Sequence, residues 1–267
     1  MGKSWQVRIG GAILVSLVLT AFAAPFIAGD PARPNIGERM AAPARDHLFG
    51  TDNLGRDIFS RVVFGSRVSL RIGFISVGIG SFCGVTLGLL AGYFSRLDNV
   101  IMRTMDVLLA FPGLLLAIAI LGALGPSLTN AMIAVGVASI PSFVRITRSA
   151  VLRVRTREYV EASRAVGASD SRIVVRHVLP NASSEIIVTT TLSMAGAILA
   201  ASVLSFLGLG AQPPIPEWGA MVFSAKDFLD IAPHMSLFPI GAIFVTVLGF
   251  NFLGDGLRDA LDPRLFS

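Results

Sequence analysis

Long stretches without charged residues are the feature that most constrains how this chain folds. Five runs contain no Asp, Glu, Lys or Arg and together cover half of the 267 residues: 9–28, 72–95, 107–144, 186–216 and 231–254. A helix needs about 20 apolar residues to cross the hydrocarbon core of a membrane. Each run is therefore long enough for one crossing, and 107–144 is long enough for two.

The composition indicates the same class of protein. The chain is 53% apolar and 15% charged, whereas soluble domains are about 25% charged. It has too few charges to cover a water-facing surface, and it is too apolar to be disordered. We predict an all-α integral membrane protein with a single domain over residues 1–267. Its six spans are expected at about 8–28, 71–94, 106–123, 128–144, 186–208 and 236–253.

The positive charges predict the orientation. Six spans place both termini on one side of the membrane, and 14 of the 22 Lys and Arg residues then lie on that side. The positive-inside rule assigns it to the cytoplasm, which makes 29–70 an outer segment and 145–185 a cytoplasmic segment. The alternative for the N-terminus is a cleavable signal ending at Ala21-Phe22-Ala23. Its uncharged run is longer than a signal needs, which favours a retained span.

The chain lacks the residues that several classes of function require. A carrier driven by protons or sodium usually needs carboxylates or histidines deep in its spans, and Asp106 and His234 lie only near span ends. The histidines are not spaced as metal ligands, and the single Cys83 excludes a disulfide framework. The net charge of +5 reflects topology, because no basic stripe on a soluble fold indicates nucleic-acid binding. Composition alone leaves three alternatives: an ATP-driven permease, a secondary carrier, and a membrane-embedded enzyme or assembly factor.

Four glycines recur at every fourth position of the second span: Gly80, Gly84, Gly88 and Gly92. Residues four apart share one helix face, so these glycines form a ridge against which another helix backbone can pack closely. The ridge predicts either static packing or a contact that slides or pivots during transport.

The cytoplasmic segment predicts a compact projection beneath the membrane. Residues 158–166 consist of good helix formers, and Gly167 suits the left-handed position that ends a helix. Ser169 or Asp170 is placed to cap a second short helix, which we expect Pro180 to stop. Two short helices around a glycine elbow favour a docking surface, with a solvated basic loop as the alternative.

The same segment resembles a known family of proteins. Glu161-Ala162-Ser163, Gly167 and Leu179-Pro180 match the EAA loop of permeases from binding-protein-dependent ABC importers, with Ser163 and His177 as mild departures. The wider stretch 159–181 resembles the oligopeptide/dipeptide/nickel permeases in particular. The long outer segment and a D-P-R ending resemble the C-type subunit of a permease pair. Further blocks that resemble this family are 49–61, 204–219 and 250–264.

The resemblance implies the transmembrane domain of a type I ABC importer in a bacterial or archaeal inner membrane. Its partners would be a second homologous permease, two ABC ATPase subunits, an external solute-binding protein and the lipid bilayer, with no nucleic acid. The chain lacks the G-x-x-x-x-G-K-[ST] loop that holds ATP. We therefore predict no enzyme activity, catalytic residue, cofactor site or metal site in this chain, and ATP-Mg would bind to the ATPase subunits. The expected ATPase-coupling residues are Glu161, Ala162, Ser163, Arg164, Ala165, Gly167, Leu179 and Pro180.

Cargo and partner contacts follow from the resemblance only as expectations. The family transports short peptides, glutathione, opines and nickel complexes; peptides are the first candidate here and nickel the second. Glu161 and Arg164 are three residues apart on one helix face, and we expect both to contact the ATPase subunit.

Two outer features carry structural predictions. Residues 49–69 mix apolar residues with arginines, which predicts an interfacial amphipathic helix that contacts the binding protein or lies on lipid headgroups. The proline-rich segment 212–218 cannot form a regular helix. It predicts a rigid outer gate or turn, with Trp218 anchored at the membrane interface.

Overall fold

The chain forms a helical bundle in a computed structural model that describes residues 4–261. Lys3 and residues 262–267, which include the D-P-R motif, lie outside the described residues. A π-helical stretch, Val174–Val178, joins two of the helices. The α-helices of the described part are α1 Ser4–Ile27, α2 Ile58–Tyr93, α3 Ser95–Leu109, α4 Gly113–Leu124, α5 Leu128–Arg155, α6 Glu158–Ala165, α7 Asp170–Ile173, α8 Leu179–Phe206, α9 Trp218–Ala225 and α10 His234–Leu261.

The membrane-spanning helices agree with the predicted class. Among the described residues, α1, α2, α5, α8 and α10 are each long and apolar enough to cross a membrane, and the bent pair α3–α4 supplies a sixth candidate span. Each apolar run of the sequence therefore has its helix, and the all-α membrane fold is confirmed. Several helices extend well beyond the predicted spans. Charged residues in three of these extensions pair with neighbours: Arg61 of α2 with Asp52, and Arg153 of α5 with Glu185 of α8.

The third span, predicted at 106–123, is wrong as a single helix. α3 and α4 are bent by 89° at the break between them. Pro112 explains the break, because proline has no backbone N–H and disfavours the helical conformation in the residue before it. α4 has 12 residues, so it extends over ~18 Å, less than the ~30 Å of a hydrocarbon core.

The interfacial helix predicted within residues 49–69 is also wrong. α2 begins at Ile58 and continues without interruption into the second span. Asp57 caps it, since its Oδ2 accepts a hydrogen bond from the Ser60 backbone N–H at 2.7 Å. Arg61 is buried rather than lying on headgroups, with its Nε 3.6 Å from an Asp52 carboxylate oxygen and its Nη1 donating to the Pro31 carbonyl. These partners allow a charged residue inside the first turns of the helix.

The glycine ridge of α2 packs directly on α5. A Cβ on Gly84 would lie 2.3 Å from the Cβ of Phe143, and one on Gly88 would lie 2.6 Å from the Cβ of Thr147. Gly80 and Gly92 meet α5 in the same way, so the contact repeats every four residues on both helices. The sequence numbers of the paired residues rise together, from Gly80 with Ser139 to Gly92 with Val151, so α2 and α5 run in the same direction.

The non-helical segment before α9 is confirmed, but the position expected for Trp218 is wrong. The Trp218 side chain is 1% exposed, and its indole N–H donates to the Val62 carbonyl at 3.0 Å. It packs against Gly65, where a Cβ would lie 2.5 Å from the indole nitrogen. Trp218 therefore joins α9 to the start of α2 inside the protein, and it does not anchor the chain at the membrane interface.

Candidate functional site

Glu161 to Gly167 of the EAA match lie at one end of the bundle, in a segment called the elbow here and defined as residues 156–178. Leu179 and Pro180 follow it at the start of α8. The elbow contains α6 and α7 and leads through the π-helical stretch into α8. Gly167 has a φ of +83°, and a Cβ there would meet no atom within 4 Å. The left-handed backbone, not crowding, therefore requires glycine, and the predicted helix stop at Gly167 is confirmed.

Pro180 does not stop a helix, contrary to the prediction. It lies in the first turn of α8, which continues directly from α7 through the π-helical stretch. Proline is tolerated in the first turn of a helix, and a π-helical stretch shifts the hydrogen-bond spacing from four to five residues. Ser169 precedes α7, but its side chain makes no capping hydrogen bond.

The elbow has a small apolar core that fixes it to the bundle. Val160 of α6, Ile173 of α7 and Val178 of the π-helical stretch are each fully buried. They form one cluster with Tyr93, the last residue of α2, and Val151 of α5. Burial of a valine or isoleucine side chain contributes about 1.5–3 kcal/mol. The elbow is therefore a packed element, not the solvated loop that was the alternative prediction.

Tyr93 is the polar centre of this contact. Its hydroxyl donates to Asp170 Oδ1 at 2.6 Å, and Arg164 Nη2 lies 3.4 Å from the same hydroxyl oxygen. The Arg164 guanidinium also lies 5.9 Å from the centre of the Tyr93 ring. Asp170 was expected only as a helix cap, and Arg164 only as a contact to a partner. The structure instead directs both side chains to the end of α2.

The other predicted coupling residues divide between the surface and the interior. Ser163 turns inward, donating to the Tyr159 carbonyl at 2.7 Å, with its hydroxyl 3.5 Å from His177 Nε2. Leu179 is partly buried and Pro180 is exposed. The predicted coupling residues that are open to solvent are Glu161, Ala162, Arg164, Ala165 and Gly167.

Two ion pairs that the sequence did not indicate hold α3 on α5. Arg148 binds Asp98 through two hydrogen bonds of 2.5 and 2.6 Å, and Arg145 lies 2.9 Å from Asp106. Paired bonds between arginine and carboxylate fix orientation as well as distance. These partners are 39 to 50 residues apart in sequence, so no local spacing indicates them.

A cavity of 290 Å³ lies between α2, α4, α5 and α8. Small residues and hydroxyl groups line it, and none of its lining residues is ionisable: Val77, Gly113, Leu114, Ala117, Val135, Ala138, Ser139, Ser142, Phe143, Ser193, Gly196, Ala197 and Ala200. The described part of the chain also contains no group of three His, Cys, Asp or Glu residues placed to hold a metal ion. The cavity can accept a solute by shape and hydrogen bonding, without a charged ligand set.

At the end of the bundle opposite the elbow, a histidine sits between two carboxylates. His47 Nδ1 lies 2.9 Å from Asp57, and its Nε2 lies 3.1 Å from Glu38. These hydrogen bonds raise the pKa of His47 above 6.5, with the bond to Asp57 as the largest cause. A protonated His47 therefore ties the segment before α2 to the Asp57 cap.

Glu217 is a fully buried carboxylate at the same end. Its Oε2 accepts from the Ala220 backbone N–H at 2.8 Å and so caps α9, while its Oε1 accepts from the Ser202 hydroxyl of α8 at 3.1 Å. Burial raises the pKa of Glu217, and its hydrogen bonds oppose that shift. The side chain fastens α9 to the end of α8, a role that the sequence pattern did not reveal.

Comparison with known proteins gives relatives over nearly the whole chain. The dipeptide transport system permease protein DppC of Alkalihalophilus pseudofirmus is 48% identical over 261 residues, 97% of this chain and 86% of that protein. The glutathione transport system permease protein GsiD of Pectobacterium atrosepticum is 52% identical over 226 residues, 84% of this chain and 75% of that protein.

A solved structure agrees with the fold. An inward-facing MetNI methionine ABC transporter has a chain that matches with a TM-score of 0.64 at 20% sequence identity, over 76% of this chain and 96% of that one. The family model described as "Binding-protein-dependent transport system inner membrane component" matches residues 84–267, which include the elbow, the cavity-lining helices α4, α5 and α8, and α10. The chain therefore belongs to the family of inner membrane components of binding-protein-dependent transport systems.

Proposed function

We propose that this chain is a permease subunit of an ATP-driven importer of short peptides. It pairs with a second homologous permease to enclose the path, receives peptides from an external solute-binding protein, and is driven by two ATPase subunits. The observation that carries the proposal is the 48% identity to a dipeptide permease over 97% of the chain. The elbow end faces the cytoplasm of a bacterium or archaeon. The excess of Lys and Arg on that side supports this orientation, because cytoplasmic segments are rich in these residues.

The elbow is the proposed docking element for an ATPase subunit. α6 is short, ends sharply at Gly167, and presents Glu161, Ala162 and Ala165 to solvent. The apolar core beneath α6 packs this helix firmly against α2 and α5. Such firm packing is needed if a movement of the helix is to move the rest of the bundle. The chain has no ATP-binding loop of its own: its only lysines, Lys3 and Lys226, lack the glycines that such a loop needs.

The cavity suits passage rather than tight retention of a peptide. Hydroxyls of Ser139, Ser142 and Ser193 offer hydrogen bonds to peptide groups, and no charged side chain lines the wall to hold either terminus. Selectivity then belongs to the external binding protein. Glutathione, itself a tripeptide, is the second candidate because of the 52% identity to a glutathione permease. Nickel, the second cargo that the resemblance implied, comes third here because the two relatives above are named for dipeptide and glutathione transport.

Transport by the reconstituted importer tests the proposal. Both permeases and both ATPase subunits are placed in proteoliposomes, and uptake of a labelled dipeptide is measured with and without ATP and the binding protein. We expect uptake that requires both, competed by unlabelled di- and tripeptides but not by Ni²⁺. A matched complex with a catalytically inactive ATPase should be inactive. Uptake driven by a proton or sodium gradient in that control would refute the proposal.

A further inference from the structure

Tyr93 brings both short helices of the elbow to a single hydroxyl group. Asp170, in the first turn of α7, accepts a hydrogen bond from this hydroxyl at 2.6 Å. Arg164, in the last turn of α6, donates a hydrogen bond to its oxygen at 3.4 Å. The ring is 8% exposed and lies in the apolar core of the elbow. The two helices that flank Gly167 are therefore held to the same point at the end of α2.

The same point is attached to α5. Arg155, the last residue of α5, donates from Nη1 to the Gly92 carbonyl at 2.9 Å. Gly92 packs on Val151, where an added Cβ would lie 2.7 Å from the valine Cβ. The ends of α2 and α5 and the elbow thus meet within a few residues of Tyr93.

The glycine ridge carries this attachment into the membrane. From Gly92 to Gly80 the two helices interlock at every fourth residue, so neither can shift along the other without a clash. Twelve helical residues span ~18 Å. At the far end of that distance Ser139, the partner of Gly80 on α5, lines the cavity. A displacement of the α2–α5 pair at the elbow therefore moves the cavity wall.

We infer that Tyr93 is a positioning residue of the transport cycle, whose hydroxyl fastens the elbow to the α2–α5 pair so that movement of the elbow reaches the cavity. This inference rests on the proposed function, because it requires the elbow to dock on an ATPase subunit. Without the hydroxyl, the elbow keeps its apolar core but loses the directional bond to Asp170. It can then turn on that core while α2 and α5 stay in place.

The test uses Tyr93→Phe in the complete importer, which removes the hydroxyl and keeps the ring. We expect normal assembly with the ATPase subunits and normal ATP hydrolysis stimulated by the binding protein. Peptide transported per ATP hydrolysed should fall about fivefold, the equivalent of a hydrogen bond worth about 1 kcal/mol. Asp170→Ala should reproduce this loss, Asp170→Asn should largely avoid it because an acceptor oxygen remains, and the double variant Tyr93→Phe/Asp170→Ala should be no worse than either single one.

The matched control is Thr86→Val, which removes an exposed hydroxyl from the same helix. This hydroxyl donates to the Phe82 carbonyl within α2. It should leave the ratio of transport to hydrolysis unchanged. If Tyr93→Phe lowers assembly, thermal stability and both activities in parallel, the tyrosine is structural only and the inference is wrong. An unchanged ratio also overturns it. Failure of the wild-type chain to assemble with ATPase subunits would instead refute the proposed function.

Discussion

Gly84→Ala is the substitution that most directly probes how α2 and α5 hold together. The new Cβ would lie 2.3 Å from the Phe143 Cβ and 2.9 Å from the Ile140 carbonyl oxygen. Neither atom is at the end of a flexible side chain, so the helices themselves must separate. Phe143 is 1% exposed and lines the cavity, and the separation therefore disturbs the cavity wall as well as the packing.

The expected size of the effect follows from this geometry. Ordinary carbon contacts are ~3.5–4 Å, so the helices must move apart by roughly 1 Å or more at Gly84. Overpacking of this kind typically costs about 1–3 kcal/mol. Since 1 kcal/mol shifts the melting temperature of a protein of this size by about 2–4 °C, we expect a fall of several degrees, together with lower peptide uptake.

Thermal unfolding of the purified complex, recorded at one fixed scan rate, measures this effect. Gly78→Ala is the matched control on the same helix, because a Cβ there meets no atom within 4 Å; it should not lower the melting temperature. Gly80→Ala should fall between the two, since its nearest neighbour is the rotatable Ser139 hydroxyl, and Ser139→Ala should relieve part of its cost. If Gly84→Ala melts like Gly78→Ala, the interlock does not hold these helices together.

Three further predictions address other parts of the molecule. Gly167→Asp should abolish transport without preventing membrane insertion. A side chain at a left-handed backbone position costs about 1–2 kcal/mol, and the added charge disturbs docking. Normal uptake by this variant would contradict the docking role of the elbow. Glu217→Ala removes a helix cap, worth ~1 kcal/mol, and leaves the Ser202 hydroxyl unpaired. The melting temperature of this variant should therefore fall, while that of the exposed control Asp230→Ala should not. Equal melting temperatures would contradict the fastening role of Glu217. The raised pKa of His47 predicts stability that is fully present below about pH 6.5 and is lost as the pH rises through the folded-state pKa. Hydrogen-exchange protection of residues 35–57, corrected for intrinsic rates, should fall over that range in the wild type but not in His47→Gln, and a fall of equal size in both would exclude His47 as its cause.

Much of the fold could be predicted because the membrane imposes simple rules on sequence. Missing charges located the five long spanning helices and α4, the apolar half of the bent pair. The four-residue spacing of Gly80 to Gly92 indicated a packing face. Pro112 breaks the third span within an uncharged run, where its effect competes with the pattern that predicts a continuous helix. The start of α2 was missed because charged residues near Arg61 suggested a surface, whereas Asp52 and the Pro31 carbonyl satisfy that charge inside the protein.

The candidate site was only partly visible in the sequence. The elbow helix and Gly167 follow from local propensity, but the tyrosine that organises the elbow belongs to a different segment. Tyr93 and Asp170 are 77 residues apart, and nothing in the sequence of either segment indicates that they meet. The position of Trp218 could not be predicted either. An aromatic residue near a span end usually indicates the membrane interface, whereas here the side chain fills a space made by Gly65.

Site-directed cross-linking between the elbow and an ATPase subunit tests the central claim most directly. Cys83 is the only cysteine, so its replacement by serine gives a background in which a cysteine at exposed Ala162 is unique. We predict a cross-link from Ala162→Cys to an ATPase subunit in the assembled importer, with a yield that changes when ATP binds, and none from Ala44→Cys at the opposite end of the bundle. A cross-link to the external binding protein, or equal yields from both positions, would contradict the account.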